Sequence, residues 1–367
     1  MSNSIQSTAL EPDPALDGMA QSLWQRALRG VPAYGLVVLT VALALLFSAL
    51  LPDTFPTLFN LRAILSDKAV IALLALAATI PMVAGKIDLT VGYGVVLWHI
   101  LAISLQTRYG LPWPAAVAVV LLCAALAGAF NGLLVELAQI DSFIATLGTG
   151  TVIYALAMWH SGGRQVVGEL PDGFVALAGA NLLGLPVGAF YVLAVAVALW
   201  LLSEFTPLGR ALYVVGANPK AAQLNGISVR RHVLGAFVAS GLLAGFAGVL
   251  LASRLQIGQA SVGLEFLLPA LVGAFLGSTT IRPGRVNVWG TLVGVAILAI
   301  GISGIQQFGG AFFVEPLFNG LTLLVSIGIA GWAQQRRDAS IKRRIAQRQL
   351  AQEPVPTPAP APDLPST

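Results

Sequence analysis

The sequence predicts an all-α polytopic membrane protein, and three observations support this fold class. Of its 367 residues, 57% are hydrophobic and only 10% are charged, which is more apolar surface than one water-soluble core can bury. Apolar runs close to the roughly 20 residues needed to cross a bilayer recur along the chain, with short polar turns between them. The 39 glycines fit this class, because small residues let helices pack closely in lipid.

Ten apolar runs are the candidate membrane spans. They lie at 32–51, 68–85, 91–105, 113–137, 143–159, 185–202, 233–252, 264–279, 287–307 and 313–332. An even number of spans places both ends of the chain on the same side of the membrane. The predicted organisation is therefore a cytoplasmic tail at 1–31, a transmembrane domain at 32–332 and a second cytoplasmic tail at 333–367. The N-terminus has no apolar signal-peptide core, so we expect the first span to be an uncleaved anchor.

The distribution of basic residues supports this topology. With the N-terminus in the cytoplasm, the basic residues on the cytoplasmic side are Arg26, Arg29, Lys86, Arg210, Lys220, Arg230, Arg231, Arg282, Arg285, Arg336, Arg337, Lys342, Arg343, Arg344 and Arg348. The opposite side holds only Arg62, Lys68, Arg108, Arg164 and Arg254. The excess has the sign that the positive-inside rule requires. Because the basic residues lie mainly beside the spans, the net charge of +4 does not indicate a nucleic-acid partner.

Three further segments are interpreted from composition. After the last span, AQQRRDASIKRRIAQRQLAQ is predicted either as a basic helix on anionic headgroups or as a solvated tail. The proline-rich end, EPVPTPAPAPDLPST, is predicted to be disordered. The longest loop on the outer side, between the fifth and sixth spans, is large enough for a short helix or a docking surface. The single Cys123 is interpreted as a packing thiol.

The loop at 206–232, between the sixth and seventh spans, contains a predicted short helix. Asn218 is a good N-cap, Pro219 suits the first helical position, and Gly226 suits the left-handed residue after the end. A helix of about two turns is marginal alone in water, so it must be held by packing. The helix can pack against one of two partners: another subunit, or the chain's own membrane domain. The residues offered for that contact are Ala221, Ala222, Leu224 and Ile227.

This loop also resembles a known family. GRALYVVGANPKAAQLNGISVRR is similar to the cytoplasmic loop of ribose/xylose-type monosaccharide permeases of bacterial ABC importers, in the branched-chain amino acid and monosaccharide permease superfamily. AGKIDLTVGYG, FNGLLVELAQIDSFIATLGTGTVIYALA, VLGAFVASGLLAGFAGVLLASRL and LGSTTIRPGRVNVWGT resemble further motifs of that family, in the same order. The resemblance covers about residues 32–332. The chain departs from the family pattern at Lys86, where glycine is usual, at Tyr93, where serine is usual, and in the stretch STTIRPGRVN.

The resemblance implies an ABC importer permease-like, type II importer-like fold in the bacterial inner membrane. It implies a homodimer with the pathway along the subunit interface, a cytoplasmic ABC ATPase subunit that carries ATP and Mg, and a periplasmic solute-binding protein. The residues implied to form the coupling helix that contacts the ATPase are Gly216, Asn218, Pro219, Lys220, Ala221, Ala222, Leu224 and Gly226. The implied function is import of a neutral sugar or sugar-like polyol. The alternatives are a branched-chain amino-acid permease and a sodium-coupled carrier.

The sequence gives no sign that this chain supplies its own energy or catalyses a reaction. The phosphate-binding pattern G-x-x-x-x-G-K-[ST] is absent, since Ile87 follows Gly85-Lys86. The middles of the spans contain no Asp or Glu for a proton relay, and neither H-E-x-x-H nor G-x-S-x-G occurs. His99, inside a span, is interpreted as a packing residue. The prediction is a transport subunit, not an enzyme, with no cofactor or metal of its own.

GKIDLTVGYG, at 85–94, separates two apolar runs, and the second run of about 15 residues is too short to span. Part of this stretch is therefore predicted to lie within the membrane, where irregular backbone must be buried in protein or face a wet cavity. Asp88 is predicted to cap the helix that starts near Leu89. Two interpretations are open: a constriction near the cytoplasmic end of a permeation route, or an ordinary turn with a weak contact between Lys86 and Asp88.

Polar side chains inside or beside the spans are the candidate lining of a translocation path. They are Asp88, Thr90, Asn131, Thr146, Thr149 and Ser278. Apart from Asp88 these are neutral hydroxyl and amide groups, which suit the passage of a polyhydroxylated solute without tight binding. Each is also explained by a hydrogen bond between helices.

Overall fold

The computed structural model describes residues 34–310, 313–325 and 328. Its helices are α1 (Tyr34–Leu50), α2 (Leu58–Val83), α3 (Thr90–Thr107), α4 (Trp113–Glu136), α5 (Ser142–Ser161), α6 (Asp172–Gly179), α7 (Val187–Phe205), α8 (Pro207–Ala217), α9 (Pro219–Leu224), α10 (Val229–Leu255), α11 (Leu267–Gly277), α12 (Val288–Gln307) and α13 (Val314–Val325). A 3-10 helix, Leu264–Phe266, precedes α11. The strands β1 (Asn181–Leu182) and β2 (Leu185–Pro186) form an antiparallel hairpin between α6 and α7.

The helical membrane fold is confirmed. Within the described residues, seven helices are long and apolar enough to cross a membrane, namely α2, α3, α4, α5, α7, α10 and α12. The predicted first, eighth and tenth spans coincide with shorter apolar helices, so the count of ten is not confirmed. The predicted tails at 1–31 and 333–367, with their basic and proline-rich segments, lie outside the described residues.

Helices α2, α3 and α10 form the centre of the bundle, and close helix contacts there depend on glycine. A Cβ atom on Gly128 of α4 would lie 2.2 Å from the carbonyl oxygen of Phe237 in α10. A Cβ atom on Gly241 of α10 would lie 2.3 Å from the carbonyl oxygen of Ala124 in α4. The two backbones therefore meet with no room for side chains, as expected for helices associating in lipid.

The loop between α5 and α7 contains a short helix, α6, in agreement with the sequence. Its position is fixed by Ser253 of α10, whose hydroxyl donates to the carbonyl oxygen of Phe174 at 2.8 Å and accepts from the amide of Ala178 at 2.9 Å. This loop is therefore packed onto the bundle.

The chain after α10 reverses direction and passes back along α3 before α11 begins. Gly258 lies beside Ile100, Gly263 lies beside Val95 and Val96, and the side chain of Leu267 lies against Gly92. The 11 residues of α11 reach only about 16 Å, so the non-helical segment 256–263 accounts for part of the path through the bundle. The sequence placed this segment only as the connection between the predicted spans 233–252 and 264–279.

Candidate translocation and coupling site

The chain between α2 and α3, residues 84–89, is non-helical and lies against the first turns of α5. We call it the interrupted segment. The amide of Ile87 donates to the hydroxyl of Ser142 at 3.1 Å, and the amide of Leu89 donates to the hydroxyl of Thr146 at 3.1 Å. These hydroxyls pair backbone groups that no helix satisfies, which is the condition for irregular backbone inside a membrane bundle.

Asp88 is the buried centre of this segment, with only 1% of its surface exposed. Its Oδ1 accepts hydrogen bonds from the amide of Thr90 at 3.0 Å and from the Thr90 hydroxyl, and its Oδ2 accepts from the hydroxyl of Ser240 at 2.8 Å. Ser240 lies about 16 Å along α10 from that helix's first residue. Asp88 therefore lies inside the bundle and binds the first amide of α3, although the N-cap position belongs to Leu89.

The hydrogen bonds continue from Thr90 into α4 and α5. Asn131 Nδ2 donates to Thr90 Oγ1 at 3.1 Å, and the hydroxyl of Thr149 donates to Asn131 Oδ1 at 2.6 Å. We call Asp88, Thr90, Asn131, Thr149 and Ser240 the Asp88 network. It joins the interrupted segment to α3, α4, α5 and α10.

The structure thus brings five of the six predicted path residues together and leaves one apart. Thr146 touches this group through its bond to Leu89, whereas Ser278 lies at the end of α11 and donates to the carbonyl oxygen of Phe275 at 2.7 Å. Sequence reasoning missed Ser142 and Ser240, because a single serine in an apolar helix carries no signal of its partner. Lys86, which one of the two interpretations placed in contact with Asp88, instead pairs with Glu136 at 3.5 Å.

The short helix predicted from its capping residues is α9. Asn218 Oδ1 accepts from the amide of Ala221 at 3.0 Å, Pro219 is the first helical residue, and Gly226 has a φ of +77° after the end. The two sides of α9 differ. Ala222 is fully buried against the chain's own bundle, and Leu224 is 89% exposed.

The helix before α9 contacts the interrupted segment directly. A Cβ atom on Gly216 of α8 would lie 2.1 Å from the carbonyl oxygen of Val83 and 3.1 Å from the amide nitrogen of Gly85. Gly85 itself has a φ of +74°, which favours glycine. This contact is made by backbone atoms alone, so α8 and the interrupted segment have no flexible side chain between them.

The arginines of the STTIRPGRVN stretch, predicted as orientation charges, also make contacts with neighbouring helices. The guanidinium of Arg285 lies 3.4 Å from the centroid of the Tyr213 ring on α8, and Arg282 pairs with Glu204. The Tyr213 hydroxyl donates to the carbonyl oxygen of Val286 at 2.9 Å. Burial raises the pKa of Tyr213, which keeps its hydroxyl protonated as a donor. The turn before α12 is thereby attached to α8.

A bundle of membrane-length helices, with a buried non-helical segment between two of them and short helices at one end, is an architecture that multi-pass membrane transport proteins use. The chain belongs to the family of branched-chain amino acid transport system permease components, whose sequence profile matches residues 60–330. This confirms the resemblance seen in the motifs. The chain is accordingly a permease subunit and not an enzyme.

Three curated relatives show the range of this similarity. The ribose import permease protein of Haemophilus influenzae is 30% identical over 290 residues, 78% of this chain and 89% of that protein. The D-allose transport system permease protein of Escherichia coli is 30% identical over 296 residues, 81% and 90% of the two chains. The autoinducer 2 import system permease protein of E. coli is 29% identical over 309 residues, 82% and 92% of the two chains. No solved structure matches the chain.

Proposed function

We propose that this chain is the transmembrane subunit of an ATP-driven, binding-protein-dependent importer that moves a neutral sugar or sugar-like polyol across the bacterial inner membrane. The names of the ribose and allose relatives support a sugar over a branched-chain amino acid. The neutral hydroxyl and amide groups of the Asp88 network are consistent with such a solute. The excess of basic residues at one end supports cytoplasmic termini.

The proposed assembly is a homodimer with one cytoplasmic ATPase subunit on each permease and a periplasmic solute-binding protein on the opposite face. ATP and Mg bind to the ATPase, and this chain carries no cofactor. The docking face for the ATPase is the exposed side of α9, where Lys220, Gln223 and Leu224 are solvent-exposed. Ala222 holds the other side of α9 on the bundle.

The observation that carries this proposal is the backbone contact of Gly216 with Val83 and Gly85. A displacement of α9 by the ATPase moves α8, because the two helices are separated by Asn218 alone. Because Gly216 has no side chain that could change rotamer and absorb the movement, a displacement of α8 is passed on to the interrupted segment. Nucleotide-driven motion in one subunit is thus delivered to the permeation route in another.

In this mechanism the interrupted segment is the constriction near the cytoplasmic end of the route. Asp88, Thr90, Asn131, Thr146 and Thr149 hold it closed in the arrangement described, because their polar groups bond one another. A shift at Gly85 lengthens these bonds, and the freed hydroxyl and amide groups then contact the hydroxyls of the solute. Ser278, at the end of α11, is a separate contact along the route.

The docking face is tested by Leu224→Asp, with Leu183→Asp as the matched control. Both leucines are almost fully exposed, 89% and 90%, but Leu183 lies in the β-hairpin at the other end of the bundle. We expect Leu224→Asp to reduce co-purification of the ATPase and ATP-dependent uptake at least tenfold, because burying a leucine contributes about 1.5–3 kcal/mol and a carboxylate there is desolvated. Leu183→Asp should leave co-purification of the ATPase unchanged.

For both variants, the amount of protein in the membrane and the size-exclusion elution profile should match those of the unmodified chain. Ala222→Asp is unsuitable, because it would place a carboxylate in the chain's own core. Unchanged ATPase binding by Leu224→Asp would remove α9 from the docking face. Uptake by the chain reconstituted alone, driven by a sodium gradient, would favour the carrier alternative.

A further inference from the structure

A charged cavity of about 570 Å³ lies at the end of the bundle opposite α8 and α9, between α2, the end of α10, the start of α11 and α13. Its volume is typical of small-molecule sites. Five ionisable side chains line it: Asp67, Lys68, Arg254, Glu265 and Glu315. Arg254, in this cavity, lies about 21 Å along α10 from Ser240, so this site is distinct from the Asp88 network.

Both cations in the cavity are already paired. Asp67 accepts a hydrogen bond from Arg254 Nη2 at 2.8 Å and pairs with Lys68 at 3.0 Å, and Lys68 also pairs with Glu315 at 3.3 Å. Among the residues that the structure describes, Glu265 makes neither a hydrogen bond nor an ion pair. Glu265 is solvent-exposed, so the cavity offers a carboxylate at its open side that no described protein group pairs.

Asn319 supplies a second free acceptor. It is only 3% exposed, it lies in the cavity wall on α13, and its Oδ1 has no partner within the described part of the chain. A buried amide oxygen without a partner costs about 1–3 kcal/mol, and such groups are uncommon in folded proteins. An occupant that donates hydrogen bonds would satisfy both acceptors.

The chemistry of the walls selects the class of occupant. With three carboxylates and two basic groups, the lining disfavours an anion. Within the described residues, no group of three or more His, Cys, Asp or Glu is placed to hold a metal ion. Leu251, Phe266 and Leu268 add an apolar wall. Free acceptors beside an apolar surface match a molecule with donating hydroxyls and C–H faces.

We propose that the charged cavity is a contact site for a neutral polyhydroxylated solute, which donates hydroxyl hydrogen bonds to Glu265 and to Oδ1 of Asn319. This inference rests on the proposed function, since it names where the imported solute meets the subunit before it reaches the interrupted segment. The paired ions hold α2, α10 and α13 around the solute, and the two free acceptors bind it.

The test is uptake by the complete transporter in proteoliposomes, with radiolabelled D-ribose, D-allose and further pentoses, hexoses and polyols as probes. The best-transported sugar is then compared with its monodeoxy analogues. We expect Glu265→Gln and Asn319→Leu each to lower the uptake rate about tenfold, which corresponds to one hydrogen bond lost from a charged or buried acceptor. Glu136→Gln, a carboxylate at the opposite end of the bundle, is the control and should transport within about twofold of the wild-type rate.

Two readouts separate solute contact from a structural role. In Glu265→Gln the preference for the sugar over one deoxy analogue should shrink toward unity, whereas a structural defect would lower both rates equally. Asn319→Leu should keep or raise the Tm, because it removes an unpaired buried group, while uptake falls.

The outcomes also separate this inference from the proposed function. Wild-type uptake with unchanged rates in both variants would overturn the cavity site alone. A sodium requirement that Glu265→Gln abolishes would show a cation site and overturn it as well. Absence of ATP-dependent uptake of every probe by the wild-type transporter would overturn the proposed function, and this inference with it.

Discussion

The Asp88 network and the charged cavity are both polar regions within an apolar bundle, but their hydrogen bonding differs. Every buried polar side-chain atom of the Asp88 network has a partner in the same chain, which leaves it closed. In the charged cavity, Asn319 Oδ1 is buried without a partner among the described residues, and the solvent-exposed Glu265 carboxylate makes neither a hydrogen bond nor an ion pair with them. A fully satisfied network stabilises one structure, whereas an unpaired buried acceptor is costly until a donor binds to it.

This difference assigns the two regions different tasks. Opening the Asp88 network breaks several hydrogen bonds, so it requires free energy from outside the bundle. The backbone contact of Gly216 with the interrupted segment can transmit a movement driven by that free energy. The charged cavity requires no such free energy to receive a solute. The comparison predicts that substitutions in the Asp88 network lower stability, whereas substitutions of the free acceptors lower transport with little effect on stability.

The largest effect is expected for Asp88→Ala. This change removes the acceptor of three hydrogen bonds and leaves Thr90 and Ser240 with unpaired buried groups, at a cost of about 3–5 kcal/mol. We expect the Tm in detergent to fall by roughly 10 °C and uptake to be lost. Asp88→Asn keeps the side-chain volume and an oxygen acceptor. Its Tm should therefore fall by less than half as much as the Tm of Asp88→Ala.

A Tm for Asp88→Ala within 2 °C of the wild-type value, measured on protein of equal monodispersity, would contradict the closed-network interpretation. Normal uptake at normal expression would remove Asp88 from the mechanism as well. The Tm is measured by heating the protein and monitoring it with fluorescence-detection size-exclusion chromatography. Uptake is measured in the proteoliposome assay.

The next largest effect is expected for Gly216→Ala, with Gly235→Ala as its matched control. A Cβ atom at Gly216 would overlap the carbonyl of Val83, whereas a Cβ atom at Gly235 of α10 has nothing within 4 Å. We expect Gly216→Ala to cost about 1–3 kcal/mol and to uncouple ATP hydrolysis from uptake. Gly235→Ala should be neutral or stabilise the helix by up to about 1 kcal/mol.

The diagnostic ratio in that experiment is solute transported per ATP hydrolysed. A fall in this ratio for Gly216→Ala, with ATPase binding retained, supports transmission through the backbone contact. An unchanged ratio in a correctly folded variant would show that motion passes from α9 to the bundle by another route.

The sequence was sufficient for the features that depend on local pattern. Apolar runs predicted the helices of the bundle, because a helix in lipid must be apolar along its whole length. The capping residues Asn218, Pro219 and Gly226 predicted α9 with its bounds. The short apolar run after Val91 predicted that part of 85–94 lies within the membrane. Helix α3 is itself long enough to span, so that premise was wrong, but the burial of Asp88 agrees with irregular backbone enclosed by protein.

The features that depend on contacts between distant segments were missed. The return of residues 256–263 along α3 is fixed by Gly263 against Val95 and Val96, and a glycine-containing stretch of this length also fits an ordinary turn. Helix α8 was treated as loop, although Thr206 caps it and Pro207 begins it. Glu265 and Asn319 belong to separate segments, and only the fold brings them to one cavity.

A smaller effect is expected for Ser240→Ala. The change removes one of the three hydrogen bonds to Asp88 and leaves its Oδ2 without a described partner, at a cost of about 1–2 kcal/mol. Ser203→Ala in α7 is the control for removing a serine hydroxyl from a helix, because the half-buried Ser203 donates to the carbonyl oxygen of Trp200 in its own helix. We expect the Tm of Ser240→Ala to fall by about 2–6 °C and that of the control by less.

Equal changes in the two variants would mean that the bond to Asp88 adds nothing to the ordinary loss of a hydroxyl. In that case the Asp88 network would end at Thr90, and α10 would be joined to the interrupted segment by packing alone.

The smallest effect is expected for Lys86→Gly, which restores the residue usual in the family. The Lys86 to Glu136 pair is 3.5 Å long and partly exposed, and such pairs contribute about 0–1 kcal/mol. We expect stability and uptake to remain close to those of the wild-type chain, within about 1 kcal/mol and twofold. The same holds for Glu136→Gln, and because the two side chains are in contact, the double variant should depart from the sum of the single effects by the energy of the pair, at most about 1 kcal/mol. A large loss in Lys86→Gly alone would place the lysine, with its charge, on the solute route beside the closed network.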